Sequence, residues 1–210
     1  MRFHRSLARA LVLGLTLLAS GSLPAAGTGD AKPAEKPAPG CADMAAVMKF
    51  AEPTEFHKHL AEMAGCWDAT CKAWFAPGQP TVSQAHSDTT MILGGRFLQE
   101  RFEGSFGGMP FSGAGLVGYD TYRKLWVSTW ADTMGTNILT YLGKCDGKGR
   151  MTSIGDYINV ATGKKARQKN IMRVLGPDKH VFEMYDQQPN GSWIELMEIT
   201  YTRHCGKCEK

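Results

Sequence analysis

The segment Leu125-Trp-Val-Ser-Thr-Trp130 decides the fold, because at a period of two it places both tryptophans on one face and the smaller Leu125, Val127 and Thr129 on the other. This alternation is typical of a β-strand that turns one face toward a core. Turn-forming residues bound the segment on both sides, at Gly118 to Asp120 and at Met134-Gly135. The segment therefore predicts one β-strand between two turns, and the rest of the chain can be searched for the same arrangement.

The same unit recurs from about residue 66 to residue 204, where nine turn clusters separate ten strand-like segments. Connections this short force neighbouring strands to be antiparallel, and a meander of ten strands removes its edges by closing into a barrel. The Asn190-Gly191 pair favours a type I′ hairpin turn. The sequence thus predicts an all-β fold, a ten-stranded antiparallel up-and-down barrel over residues 65–205, with a C-terminal tail at 206–210. The predicted strands are 67–75, 82–93, 97–106, 111–119, 125–132, 136–144, 151–160, 166–175, 180–186 and 192–204.

Residues 1–26 have the pattern of a secretory signal peptide. Three arginines precede the apolar run 10–18, and small residues end it at Pro24-Ala25-Ala26. The alternative is an uncleaved N-terminal anchor. A signal peptide predicts a periplasmic or secreted protein, with no membrane insertion after the signal is removed. Residues 27–40 hold three of the ten prolines and predict a disordered Pro/Ala-rich leader.

The net charge removes the electrostatic argument for two kinds of partner. The 24 basic residues fall to 21 without the signal peptide, because it contains three arginines and no acid, against 20 acidic residues. A chain so close to neutral gives no electrostatic reason to expect nucleic acid or an anionic membrane as partner.

Residues 41–64 form the segment with helical periodicity. Pro53 interrupts it, Thr54 is the expected N-cap, and Glu55 lies in the first turn. We expect a weak helix, a break, and a short helix from about Glu55 to Met63. The short helix either closes one mouth of the barrel or packs outside it.

Gly65-Cys66-Trp67 opens the first strand, and Arg203 lies near the end of the last. First and last strands of a closed meander pair antiparallel, so Arg203 can stack on the Trp67 ring. This pair resembles the structural signature of the calycin barrels, the lipocalins and fatty-acid-binding proteins. The resemblance implies that Trp67 and Arg203 are structural and close one end of the barrel.

A closer resemblance rests on six stretches of the chain: Glu55 to Leu60, Met63 to Asp68, Met91 to Glu100, Phe111 to Asp120, Val127 to Asp132 and Met197 to Arg203. In these stretches the chain resembles a bacterial family known as domain of unknown function 1579. The resemblance implies a calycin-like barrel and no settled activity. The extra cysteines and the proline-rich leader are departures from the family.

Several predicted strands contain charged residues close to tryptophans, at positions where a purely apolar core would have no charge. If they point inward, these groups form a polar floor for a ligand with an apolar body and one polar head. We therefore expect non-covalent binding of a small, partly apolar molecule. The alternatives are an enzyme that uses carboxylates in the same cavity, such as Glu100 with Glu198, and an envelope protein whose barrel is filled by its own side chains. The candidate ligand-binding residues are Arg96, Glu100, Trp126, Trp130, Asp132, Glu183 and Glu198.

No catalytic residue and no cofactor is expected, because the sequence lacks nucleophile-elbow, phosphate-loop, zinc-protease and dinucleotide motifs. Glu209 follows Cys208, so the motif for c-type haem attachment is absent. His204 is the candidate for the late histidine that holds haem in some ten-stranded barrels of the nitrobindin type. A surface position for His204 is the alternative.

Six cysteines in an exported chain favour disulfides. A bridge from Cys66 to Cys205 or Cys208 would join the first strand to the end of the last. The alternative to a disulfide is a zinc site formed by Cys66, Cys71, Cys205 and Cys208. Five residues of strand put Cys71 roughly 17 Å from Cys66, so we expect no metal site.

Overall fold

The computed structural model describes residues 44–204. The predicted signal peptide and leader, residues 41–43, and Cys205, Cys208 and the rest of the tail lie outside this range. Within it, no helix is long and apolar enough to cross a membrane. The described elements are α1 (Met44–Ala51), α2 (Glu55–Glu62), β1 (Gly65–Ala73), β2 (Thr81–Ile92), β3 (Phe97–Phe106), β4 (Met109–Asp120), β5 (Leu125–Asp132), β6 (Leu139–Cys145), β7 (Arg150–Asn159), β8 (Lys164–Gly176), β9 (Lys179–Gln187) and β10 (Trp193–Arg203).

The ten strands form a closed barrel in which each strand pairs antiparallel with its neighbours in the chain. Closure comes from β1, which pairs with β2 on one side and β10 on the other, with Trp67 opposite Arg203. The predicted ten-stranded antiparallel up-and-down barrel is thus confirmed. Two irregularities interrupt the ladders, one in β10 between Glu195 and Met197 and one in β8 between Val174 and Gly176.

Helix α2 lies over one end of the barrel. Thr54 is its N-cap, and the Thr54 backbone N–H donates to His57 Nδ1 at 2.9 Å. Leu60 is buried against Leu98 and Trp126. Apolar packing of this kind closes the end of the barrel at which β1 begins.

Alternation along β1 separates its cysteines. The pairing of Gly65–Ala73 with β2 runs without a shift, so odd-numbered residues share one face and even-numbered residues the other. Trp67 and Cys71 therefore face inward, while Cys66 faces outward. A single zinc ion cannot reach both sulfurs, which rules out the four-cysteine zinc site.

Cys71 and Cys145 are free thiols. In the described part of the chain, these two cysteines therefore take no part in a disulfide. Burial raises the pKa of Cys71 to about 11, so this thiol resists deprotonation.

Candidate ligand-binding cavity

The inner faces of the strands enclose a cavity of about 360 Å³. Its mouth lies opposite helix α2, at the end where the β1–β2, β3–β4 and β5–β6 connections meet. Phe75, Phe106 and Met134 line this rim. The volume is at the lower end of the range for small-molecule sites.

One wall of the cavity is aromatic and centres on Phe102. Its ring lies 6.0 Å from the Phe111 ring, 6.2 Å from Trp130 and 6.4 Å from Tyr201, all at steep angles. Gly113 lies directly behind Trp130, and a Cβ at this position would overlap the indole. The missing side chain lets the Trp130 ring lie flat against β4 instead of filling the cavity.

Glu100 is the charged group deepest among these rings. Its Oε1 accepts a hydrogen bond of 2.7 Å from Ser87 Oγ and a longer one of 3.5 Å from the Tyr201 hydroxyl. Protein surrounds the carboxyl group, and its remaining accessible surface faces the cavity. Burial raises the pKa of Glu100, against the opposing effect of these two hydrogen bonds. No lysine, arginine or histidine of the described chain lines the cavity beside it.

A polar wall of Tyr141, Gln168 and Asn170 faces the aromatic one, and Tyr157 and Asp186 continue its hydrogen bonds behind the cavity lining. The Tyr141 hydroxyl donates to Gln168 Oε1, Gln168 Nε2 donates to Asp186 Oδ1 at 3.3 Å, and the Tyr157 hydroxyl donates to Asp186 Oδ2 at 2.6 Å. Burial raises the pKa of both tyrosines to about 12, so both remain hydrogen-bond donors. The side chain of Asn170, a cavity-lining residue, has a buried oxygen, Oδ1, with no hydrogen-bond partner in the described structure. An unpaired acceptor of this kind is costly unless a ligand or water donates to it.

Asp132 is the second carboxylate in the cavity wall. It accepts 2.8 Å from Trp130 Nε1 and 2.9 Å from the Met134 backbone N–H. These bonds fix the indole orientation at the edge of the aromatic wall.

The seven candidate residues from the sequence separate into three groups. Glu100, Trp130 and Asp132 line the cavity. Trp126 is on the same inner face but packs with Leu60 below the cavity.

The remaining three lie outside the barrel. Arg96 is in the β2–β3 turn, where its Nε donates to the Ala51 carbonyl at 2.7 Å. Glu183 pairs with Arg173, and Glu198 pairs with Lys72 at 2.8 Å. These two glutamates alternate with inward-facing apolar neighbours, so they point to the outer face, and Glu198 cannot act with Glu100 in one cavity.

Sequence reasoning missed the polar wall. Gln168 and Asn170 lie two residues apart in β8 and in step with Met172, which also lines the cavity. The period of two is visible in the sequence. However, Gln168 and Asn170 alternate with charged residues, and a polar segment of this kind does not indicate which face is buried.

The late histidine is also on the outside. His204 Nδ1 lies 3.0 Å from both oxygens of Asp68, an exposed residue of β1. Its position gives no support to haem ligation inside the barrel. The interior histidine is His180, which stacks on Tyr201 with ring centroids 4.4 Å apart.

The family model for "Protein of unknown function (DUF1579)" matches residues 52–203. The chain belongs to this family. The predicted resemblance is thus confirmed. No curated protein matches the chain.

Two solved structures are similar to this DUF1579 barrel. One is Rv2717c from M. tuberculosis, with a TM-score of 0.52 and 13% identity, covering 73% of this chain and 99% of that one. The other is the S-type phycobiliprotein lyase CPES from Guillardia theta, with a TM-score of 0.48 and 11% identity, covering 72% and 94%. At these identities, the likeness to Rv2717c shows the barrel fold alone.

Proposed function

We propose that this protein binds a small, partly apolar molecule non-covalently in the barrel, through a polar end that donates hydrogen bonds. The observation that carries the proposal is the buried carboxyl group of Glu100 in an aromatic cavity of about 360 Å³. Apolar walls favour the body of such a molecule by removing it from water.

The acceptors in the cavity set the chemistry of the polar end. Glu100 and Asn170 Oδ1 both accept hydrogen bonds, and no basic side chain lies in the described lining. An anionic ligand would meet the Glu100 carboxyl without a compensating cation, which is unfavourable at low dielectric. A neutral donor or a protonated amine is favoured. Arg96, one of the candidate ligand-binding residues, lies outside the barrel and is not available to neutralise an anionic head.

The cavity also bears on the two alternative functions. Its volume supports a hollow barrel over one filled by its own side chains. An acid–base pair of Glu100 and Glu198 is not supported, since the two residues lie on opposite faces of the wall. We therefore propose a carrier or sensor of its ligand in preference to an enzyme.

We further propose that the chain is exported and that Cys66 forms a bridge to Cys205 or Cys208. The signal-like N-terminus and the position of Cys66 at the start of β1, on the outer face, support this. Thiol alkylation of denatured, unreduced protein from the exported fraction should label Cys71 and Cys145 and leave Cys66 unlabelled. Labelling of all six cysteines would contradict the bridge.

Two probes with the same aromatic tail test the ligand proposal, one ending in a primary amine and one in a carboxylate. We expect the amine to quench tryptophan fluorescence and raise the melting temperature by mass action, and the carboxylate to bind at least tenfold more weakly. Trp130→Leu should reduce the quenching because it removes part of the wall. Glu100→Gln should reduce the preference for the amine.

Matched controls come from the outer face. Glu198→Gln also removes one carboxylate, and Arg96→Met removes the charge first expected to bind the ligand. Neither should change the affinity for either probe. Equal binding of the two probes, or an unchanged preference in the folded Glu100→Gln variant, would contradict the proposal.

A further inference from the structure

The outer face of the barrel carries a cluster of metal-binding side chains where the first and last strands meet. Asp68 in β1 lies directly opposite His86 in β2, and His204 follows β10 immediately. One ligand atom from each of the three residues lies within 4.8 Å of the others. We propose that Asp68, His86 and His204 bind a divalent transition-metal ion such as zinc.

The donor distances fit one ion. At ordinary zinc bond lengths, two donors on a tetrahedral ion lie roughly 3.3 Å apart. His204 Nδ1 is 3.0 Å from Asp68 Oδ2, and His86 Nδ1 is 3.7 Å from Asp68 Oδ1. The two distances bracket the required value, so small side-chain rotations bring the three donors onto one ion. Two imidazoles and a carboxylate form a ligand set suited to zinc, copper or nickel.

A fourth residue orients one ligand. His86 Nε2 lies 3.2 Å from Asp88 Oδ1, on the side of the ring away from Asp68. A carboxylate on the second nitrogen of a metal-binding histidine fixes its tautomer and leaves the other nitrogen to coordinate. Asp88 is therefore a positioning residue.

The surroundings leave room for the ion. The side chains of His86 and His204 are each 36% exposed, so water can complete the coordination. The acidic cluster of Glu183, Glu195 and Glu198 differs, because Arg173 and Lys72 already pair with two of its members. An ion held by Asp68, His86 and His204 would link β1, β2 and the end of β10 across the seam of the barrel.

Zinc titration of the tag-free full chain, stripped with chelator, tests the site. We expect one zinc per chain and a higher melting temperature that chelator reverses. His86→Gln and His204→Gln should each weaken zinc binding at least tenfold. Asp88→Asn should weaken it about 10- to 100-fold while retaining one ion per chain. His59→Gln, an exposed histidine on α2, is the matched control and should change nothing.

Cobalt substitution identifies the donor atoms and does not depend on the folding of any one variant. A nitrogen and oxygen ligand set gives visible d–d bands without a thiolate charge-transfer band. A thiolate band would overturn the proposal, because it would place the ion on cysteines. Wild-type protein that takes up no zinc, or undiminished affinity in a folded His86→Gln or His204→Gln variant, would show that the cluster is an ion-pair network only.

Discussion

At the scale of single residues, His180 makes the stability of the protein sensitive to acid. It is 5% exposed, and its ring meets the Trp67 ring edge-on at 4.3 Å. Burial, with a smaller effect of Arg203, lowers the pKa of His180 to about 4, below its ordinary value of 6.5. The folded state therefore keeps this histidine neutral where the unfolded chain takes up a proton.

The sign of the pH dependence follows directly. A lowered histidine pKa means that stability is complete above pH 6.5 and is lost as the pH falls toward 4. Between pH 6.5 and 5 the loss is about 2 kcal/mol, at 1.36 kcal/mol per pH unit. Urea unfolding across this window measures it. His180→Phe keeps a flat ring and should remove most of the slope, while His57, whose pKa burial also lowers, retains a part. An unchanged slope in His180→Phe would refute the assignment.

At the scale of elements, Arg203 joins the last strand to the first strand and to helix α2. Its guanidinium lies 4.2 Å from the centroid of the Trp67 ring, and it donates to the carbonyls of Glu62, Ala64 and Pro177. Gly65 makes this approach possible. It has φ of +140°, and a Cβ there would lie 2.6 Å from Arg203 Nη1.

A double-mutant cycle measures the contact between Trp67 and Arg203. Trp67→Ala should cost about 3–5 kcal/mol of unfolding free energy, as for other buried aromatic residues. Arg203→Ala should also destabilise, and the coupling energy should be about 0.5–2 kcal/mol. Arg101→Ala is the comparison, because Arg101 is an exposed arginine in β3. Additive effects of Trp67→Ala and Arg203→Ala would argue against direct stacking.

Predictions of whole elements and of turn geometry had different outcomes. Strands β3 and β5 have their predicted bounds, because turn residues interrupt the alternation of inward and outward side chains at both ends of each strand. The type I′ turn at Asn190-Gly191 is wrong, since Gly191 alone of the pair has positive φ. Asn190 Oδ1 instead accepts hydrogen bonds from the backbone and the hydroxyl of Ser192. Such a hydrogen bond from a side chain to the nearby backbone competes with the type I′ geometry, and the residue types alone do not show which of the two forms.

At the scale of the whole molecule, closure of the barrel was predictable, because ten consecutive antiparallel strands leave no unpaired edge only when the first strand pairs with the last. The inner face was predictable only where it carried a regular hydrophobic pattern. Glu100 shares its parity with Leu98 and Phe102 and faces inward, whereas Glu183 has the opposite parity to Phe182 and Met184. Applied strand by strand, this parity separates cavity residues from surface residues. The cavity volume depends on how side chains pack, and no local pattern in the sequence encodes it.

Because helix α2 closes one end of the barrel, the opposite end controls how fast the proposed ligand would enter and leave. A bound molecule has to enter and leave through the same rim, where the rings of Phe75 and Phe106 meet edge-on with centroids 5.0 Å apart. A passage shared by both directions changes the rates of entry and exit by the same factor, which cancels in the dissociation constant. For the proposed ligand, changes at the rim would therefore alter the residence time at constant affinity, whereas the deep aromatic and acceptor walls would determine the affinity. The two quantities can change independently because different ends of the same strands determine them.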